Sequence, residues 1–180
     1  TYANDELKIG DTLEVMPPVG KFNTPLNPSQ KKNYVAFAAG SGITPVLSII
    51  KATLNTERDS EFTLVFGNRS KNTIIFKEEI EALKDRFLNR FRVYHILSRE
   101  QTDSPVNYGR IDPDKLNFLS QKLIDLKTID EFFLCGPDEM IFCIQNYLKQ
   151  NGVDANKIHF ELFTIPGEKK STADKKPVDE

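Results

Sequence analysis

From Val35 to Ile50 the chain reads Val-Ala-Phe-Ala-Ala-Gly-Ser-Gly-Ile-Thr-Pro-Val-Leu-Ser-Ile-Ile, a buried strand running through a glycine turn into a helix. The unbroken apolar run before Gly40 suits a strand covered on both faces. Gly40 and Gly42 permit positive φ and close backbone approach. Thr44 is placed to cap a helix whose first residue, Pro45, has no N–H to leave unpaired. The free amides and the positive end of the helix dipole converge on one spot that suits a phosphate. Many strand-to-helix turns of this kind are purely structural, so the meaning of this one depends on the rest of the chain.

The rest alternates. Glu61 to Phe66 is a second β-rich run, followed by Gly67-Asn-Arg-Ser-Lys-Asn and a helical pattern from Ile74 to Phe87. Phe91 to Leu97 reads as a third strand, and a loop rich in Ser, Thr, Asp and Pro runs from Ser98 to Arg110. Asp112-Pro113 opens a short helix with a cap residue before a first-turn proline. Glu131 to Cys135 is a fourth strand broken by Gly136-Pro137; the next helix carries Met140, Ile144, Tyr147 and Leu148 until Gly152, and Lys157 to Phe163 is a fifth strand. Strands alternating with helices through right-handed crossovers predict an α/β fold with a mostly parallel, doubly wound sheet, and the family resemblance given below together with this pattern implies five parallel strands in the order 3-2-1-4-5. In that order, the turns Gly40 to Thr44 and Cys135 to Pro137 meet where the sheet reverses direction, the usual ligand position.

Composition narrows the function. At 180 residues and 39% hydrophobic content, the chain supports one ordinary core with a fragment of a second domain attached. A net charge of −2 without a sustained Lys/Arg stripe argues against a nucleic-acid partner. No apolar run approaches the roughly 20 residues of a membrane helix, and the N-terminus lacks the pattern of a signal peptide, so a cytoplasmic location without a membrane partner is expected. Cys135 and Cys143 form neither a disulfide framework nor a zinc motif, and His95 and His159 fall in strand-like runs without ligand spacing. The two ends read as foreign to the central unit. Thr12-Leu-Glu-Val15 alternates like a half-buried strand with no neighbour to pair with, the last strand of a preceding domain, and beyond Gly167 the sequence is charged and too poor in apolar residues to repay its ordering entropy.

The glycine pattern departs from the common dinucleotide fingerprint. No third glycine follows Gly42, and the second strand ends in Gly67-Asn-Arg69 where a standard NAD dehydrogenase has an acid. Ala39-Gly-Ser-Gly-Ile-Thr-Pro45, Gly67-Asn-Arg69, Leu97-Ser-Arg-Glu100, Gly109-Arg-Ile111, Cys135-Gly-Pro137 and Glu161-Leu-Phe163, in this order, resemble the nucleotide domain of the ferredoxin-NADP reductase superfamily. Within it, Phe66-Gly-Asn-Arg-Ser70, Gly109-Arg-Ile-Asp112 and His159-Phe-Glu-Leu-Phe163 are most similar to the reductase subunits of phenylacetyl-CoA epoxidases. The resemblance implies a flavin domain first, this domain second and a plant-type iron-sulfur domain last, passing electrons from NADPH, with NADH as the alternative, through FAD and a 2Fe-2S cluster to an oxygenase component. The chain lacks the family's Arg-x-Tyr-Ser flavin motif and its cluster cysteines, so neither FAD nor 2Fe-2S is expected in it. Residues 1–33 are then expected to be the remnant of the FAD-binding barrel and a linker, 34–166 the NAD(P)-binding domain, and 167–180 a disordered linker toward the iron-sulfur domain.

The same resemblance assigns roles by position. Gly40, Gly42, Thr44 and Pro45 lie against the cofactor pyrophosphate and nicotinamide. Cys135, with Gly136 and Pro137, lies beside the nicotinamide and orients the hydride donor, acting neither as nucleophile nor as metal ligand. Ser98 and Arg99 hold the 2′-phosphate of NADPH, Arg99 by a bidentate contact. Tyr108 stacks on adenine, Arg69 and Arg110 lie near the cofactor, and Glu161 and Phe163 approach the flavin. Each has a plainer alternative: Thr44 a cap, Cys135 a small core residue, Arg99 a solvent-facing loop cation. A non-redox nucleotide-sensing or scaffold domain uses the same fold, although it needs neither Cys135-Gly-Pro137 nor Glu161-Leu-Phe163.

Overall fold

The computed structural model describes residues 2–17 and 19–163. Strands β1 (Asn33–Ala39), β2 (Glu61–Asn68), β3 (Phe91–Leu97), β4 (Glu131–Gly136) and β5 (Ile158–Leu162) form one sheet in the order β3-β2-β1-β4-β5. Every pairing is parallel, as expected for strands joined by helical crossovers. The helices are α1 (Tyr2–Asp5), α2 (Ile43–Thr56), α3 (Lys77–Arg86), α4 (Pro113–Lys122) and α5 (Asp138–Gln150).

Alternation along each strand sends side chains to two separate cores. Tyr34, Ala36, Phe62, Leu64 and Phe133 pack with residues of α2 and α3, among them Val46, Ile50 and Ile80. Val35, Phe37, Val65, Phe132 and Leu134 pack with residues of α4 and α5, among them Leu116, Leu119 and Ile144. Each fully buried Ile, Leu or Phe contributes roughly 1.5–3 kcal/mol relative to exposure, which is why the central strands carry apolar residues without alternation. β1 and β4 are buried at all but their terminal residues.

Two helix starts differ from the sequence reading. α2 begins at Ile43, with Gly42 at its N-cap, so Pro45 is its third residue and Thr44 is not the cap. Ser41 and Gly42 already follow a 3-10 turn, which draws the chain into helix early. α3 begins only at Lys77, because Ile74 is extended and Phe76 adopts the left-handed conformation, φ 57°. Asp112 does cap α4, accepting the Lys115 N–H at 2.9 Å with Pro113 in the first turn.

The expected strand at Thr12 to Val15 is absent: residues 11–17 carry no regular secondary structure, and Leu13, Val15 and Met16 are exposed. A single strand without a neighbour has no partner for its backbone groups. The chain joins the α/β unit before β1. Phe22 packs edge-on to Phe133, ring centroids 5.7 Å apart. The buried Glu57 carboxylate accepts from the Asn27 N–H, Gln30 Nε2, Tyr34 hydroxyl and Ser60 hydroxyl. Arg90 donates to the carbonyls of Leu54, Glu57 and Ser60, satisfying the end of α2. The expectation for residues 167–180 lies outside the described residues.

Candidate functional site

The carboxyl ends of all five strands share one edge, and the chain reverses its winding between β1 and β4. There the β1–α2 turn rests on the end of β4. Gly40 has φ 53°, and a methyl group on it would meet nothing within 4 Å. Gly42 has φ −60°, so positive φ is not what it supplies. It supplies close approach: a Cβ there would lie 2.2 Å from the Cys135 carbonyl oxygen. Gly136 is also tight, its added Cβ falling 3.2 Å from the Ala39 amide nitrogen. The exposed Thr44 hydroxyl donates to the Ser41 carbonyl, which stiffens the turn, and Pro45 follows it in the first turn. Ser41 and Thr44 at the N-terminus of the 14-residue α2 are exposed, and the space beside Gly40 is open, so this helix end is accessible, with its dipole favouring an anion.

Beyond β2 and β3 the chain stays laced. Asn68 O accepts the Ser98 N–H and Arg69 O the Arg99 N–H, each at 2.9 Å. The Lys71 N–H donates to Glu100 Oε2 at 2.7 Å. Farther along, Gly109, at φ 105°, donates its N–H to Leu97 O, which turns Tyr108 back against the end of β3. Lys115 Nζ donates to the Pro105 and Val106 carbonyls and holds this loop. A groove of about 240 Å³ opens here, lined by Pro105, Tyr108, Arg110, Lys115 and Phe118. Burial holds the Lys115 ammonium below its ordinary pKa, with Asp112 opposing the shift.

Arg69, Arg99 and Arg110 are exposed, and none of their guanidinium groups has a hydrogen bond or ion pair among the described residues. Asn68 Nδ2 is buried without a partner at the end of β2. Ser98 is half-buried, its hydroxyl 3.4 Å from Asn68 O.

Cys135 is fully buried in the core shared with α2 and α3. Burial, reinforced by the Glu161 carboxylate, pushes its thiol pKa up to about 11, so at neutral pH it is a neutral S–H. Glu161 is its register partner on β5, half-buried, and Phe163 beyond it is exposed. Contact between this thiol and a bound ring requires a covering residue to move. Pro137 is exposed beside it. Among the described residues no group of three His, Cys, Asp or Glu side chains is placed to hold a metal ion, and no helix is long and apolar enough to cross a membrane.

The Glu100–Lys71 contact and the orphaned Asn68 amide escaped the sequence reading. Both depend on pairing between loops far apart in the sequence, and the only visible signal was an acid directly after Arg99.

The family profile of the oxidoreductase NAD-binding domain matches residues 37–146, from β1 into α5. The chain belongs to this family, within the ferredoxin-NADP reductase superfamily. This NAD-binding domain is 42% identical over 166 residues to a component of the 1,2-phenylacetyl-CoA epoxidase of Escherichia coli K12, covering 92% of the chain and 47% of that protein. It is 34% identical over 176 residues to the ferredoxin reductase component of 3-ketosteroid-9-alpha-monooxygenase of Rhodococcus rhodochrous, covering 97% of the chain and 45% of the relative. The chain thus spans about half the length of both. Among solved structures, the FAD/NAD-binding domain of the Vibrio cholerae nitric oxide dioxygenase superposes with a TM-score of 0.72 at 25% identity, over 90% of the chain and 62% of that structure. The features of the carboxyl edge fit a dinucleotide: an open helix N-terminus above Gly40, three arginines without partners, and a tyrosine beside a groove.

Proposed function

We propose that the chain is the NAD(P)H-binding part of a flavin-dependent electron-transfer reductase that prefers NADPH to NADH. In this reading electrons pass through FAD and a 2Fe-2S cluster, carried by flanking domains of the same cytoplasmic protein, to the oxygenase component of a phenylacetyl-CoA epoxidase. The 42% identity to a component of such an epoxidase supports the last assignment, and the roughly half-length match supports the flanking domains.

The observation that carries the nucleotide reading is that Arg69, Arg99 and Arg110 stand unpaired on the same sheet edge as the N-terminus of α2. An exposed arginine cluster without carboxylate partners is suited to an anionic ligand, and guanidinium is the group that holds phosphate in bidentate fashion. Gly40 and the first turn of α2, with Thr44 and Pro45, cradle the diphosphate. Arg99 and Ser98 hold the 2′-phosphate, Tyr108 stacks on adenine, and Arg69 and Arg110 line the path between. NAD(P)H supplies a hydride when bound. Cys135, Gly136 and Pro137 border the nicotinamide, with Glu161 and Phe163 beside them. The neutral Cys135 thiol contributes shape and orientation there, not nucleophilic chemistry.

The test is calorimetric titration of the chain with NADPH and NADH, before and after Arg99→Ala. The substitution is expected to cost NADPH about 1–3 kcal/mol, the range for a charge-assisted contact, and to leave NADH nearly unchanged. Equal losses for both would remove the 2′-phosphate assignment. Failure of the unsubstituted chain to bind either nucleotide would remove the nucleotide reading itself.

A further inference from the structure

We infer that Glu100 is a positioning residue for nucleotide selection: its carboxylate is committed to Lys71, and this brace presets Arg99 for a phosphate. The inference rests on the assignment of Arg99 to the 2′-phosphate.

An acid next to a phosphate site ordinarily opposes the anion, or accepts a ribose hydroxyl and favours the unphosphorylated nucleotide. The geometry here assigns Glu100 a different task. Its Oε2 accepts the Lys71 backbone N–H at 2.7 Å, and its Oε1 lies 3.6 Å from Lys71 Nζ. The half-exposed ion pair contributes little in water, whereas a charge-assisted bond to a backbone amide is the stronger and more directional contact. That bond is the third between the two segments. Backbone N–H groups tie Ser98 to Asn68 and Arg99 to Arg69, and the Glu100 side chain ties to the Lys71 N–H, so the two segments stay joined past the ends of β2 and β3 although the ladder itself stops at Asn68 and Leu97.

Arg99 is thereby fixed from both sides. Its own N–H is bonded to Arg69 O, and the next residue is bonded across to Lys71. The loop backbone is ordered before any ligand arrives, and the free guanidinium has only its own rotamers to lose on binding. The carboxylate that would otherwise repel a phosphate is meanwhile turned toward Lys71, whose ammonium offsets its charge. Without the brace, ordering this segment becomes part of the cost of binding.

The experiment compares Glu100→Gln with Glu100→Ala in the same 180-residue chain, because both remove the charge and only glutamine keeps an oxygen that can accept the Lys71 N–H. Dissociation constants for NADPH and NADH are measured by calorimetry, with Arg99→Ala as a parallel arm. NADPH is expected to bind the alanine variant roughly three- to tenfold more weakly than the glutamine variant, the range for losing one pre-ordered side chain, with less than about twofold difference for NADH. Amide exchange at Lys71 is expected to accelerate in the alanine variant alone. Equal NADPH affinity in the two variants would overturn the brace, as would equal weakening toward both nucleotides, which marks a merely structural role. If Arg99→Ala abolishes the NADPH preference while Glu100→Ala matches Glu100→Gln, only the brace falls. If Arg99→Ala changes nothing, the 2′-phosphate assignment falls and the inference with it.

Discussion

The α-carbon of Gly42 is pressed against the Cys135 carbonyl: a methyl group there would sit 2.2 Å from the oxygen and 2.5 Å from its carbon. The first turn after β1 and the last residues of β4 are thus in backbone contact at the point where the sheet reverses. The turn that faces a phosphate is seated directly on the strand end that faces the nicotinamide in the proposed function. Displacement of one moves the other.

Gly42→Ala should therefore lower stability by about 1–3 kcal/mol or more, the range for forcing atoms into a filled site, because the obstructing atoms are backbone and cannot rotate away. Gly40→Ala meets no neighbour and should cost only the left-handed strain, about 1–2 kcal/mol. Urea denaturation midpoints of the two variants provide the measurement. A Gly42 variant as stable as the unsubstituted chain would contradict the contact.

The two cysteines should differ in reactivity. Cys135 is fully buried with its thiol pKa pushed up to about 11, while Cys143 is only partly buried, although its pKa is also raised by burial and then by Asp112. Alkylation at pH 8 followed by mass spectrometry is expected to modify Cys143 first, and Cys135 only once the chain unfolds or the site opens. Added nucleotide that exposes Cys135 to alkylation would be direct support for movement at the nicotinamide end. Equal rates in the free protein would refute the burial.

Acid stability should report on Glu131. Burial pushes its carboxyl upward, but hydrogen bonds from Lys32 Nζ at 2.9 Å and with His159 Nε2 at 2.6 Å outweigh this and leave the pKa below the ordinary value of 4.5. A folded-state pKa below the unfolded one adds stability that is complete above about pH 4.5 and is lost as pH falls through the folded value. Glu131→Gln removes this contribution, so its stability should fall less steeply than that of the unsubstituted chain below pH 5. Parallel curves from denaturation at stepped pH would show that the Lys32–Glu131–His159 group contributes no net free energy.

Phe76 sits at the N-cap of α3 with φ 57° and ψ 29°, a conformation that costs a bulky side chain roughly 1–2 kcal/mol, and the residue is 45% exposed. Phe76→Asn places a residue that tolerates this conformation and caps helices, and is expected to raise stability by about 1 kcal/mol. Thermal unfolding gives the answer. A lower midpoint would mean that the contacts of the ring outweigh the strain of its backbone.

Periodicity and punctuation determined the five strands, because a strand buried on both faces writes an unbroken apolar run and glycine marks each exit from it, while their order and the meeting of the two turns needed the resemblance of the motifs to a known family as well. Asp112-Pro113 likewise announced the start of α4, since cap chemistry acts over three residues and needs nothing distant. The tertiary structure decided what depends on contacts between segments. It showed that Gly42 is needed for closeness and not for positive φ, that residues 11–17 form no strand while Phe22 and the Glu57 hydrogen bonds tie the chain before β1 to the sheet, and that Glu100 turns to Lys71. The contacts that decide these points join residues far apart in sequence, 27 positions for Gln30 and Glu57 and 29 for Lys71 and Glu100. A linear pattern records which face a residue occupies, but not which backbone atom arrives opposite it.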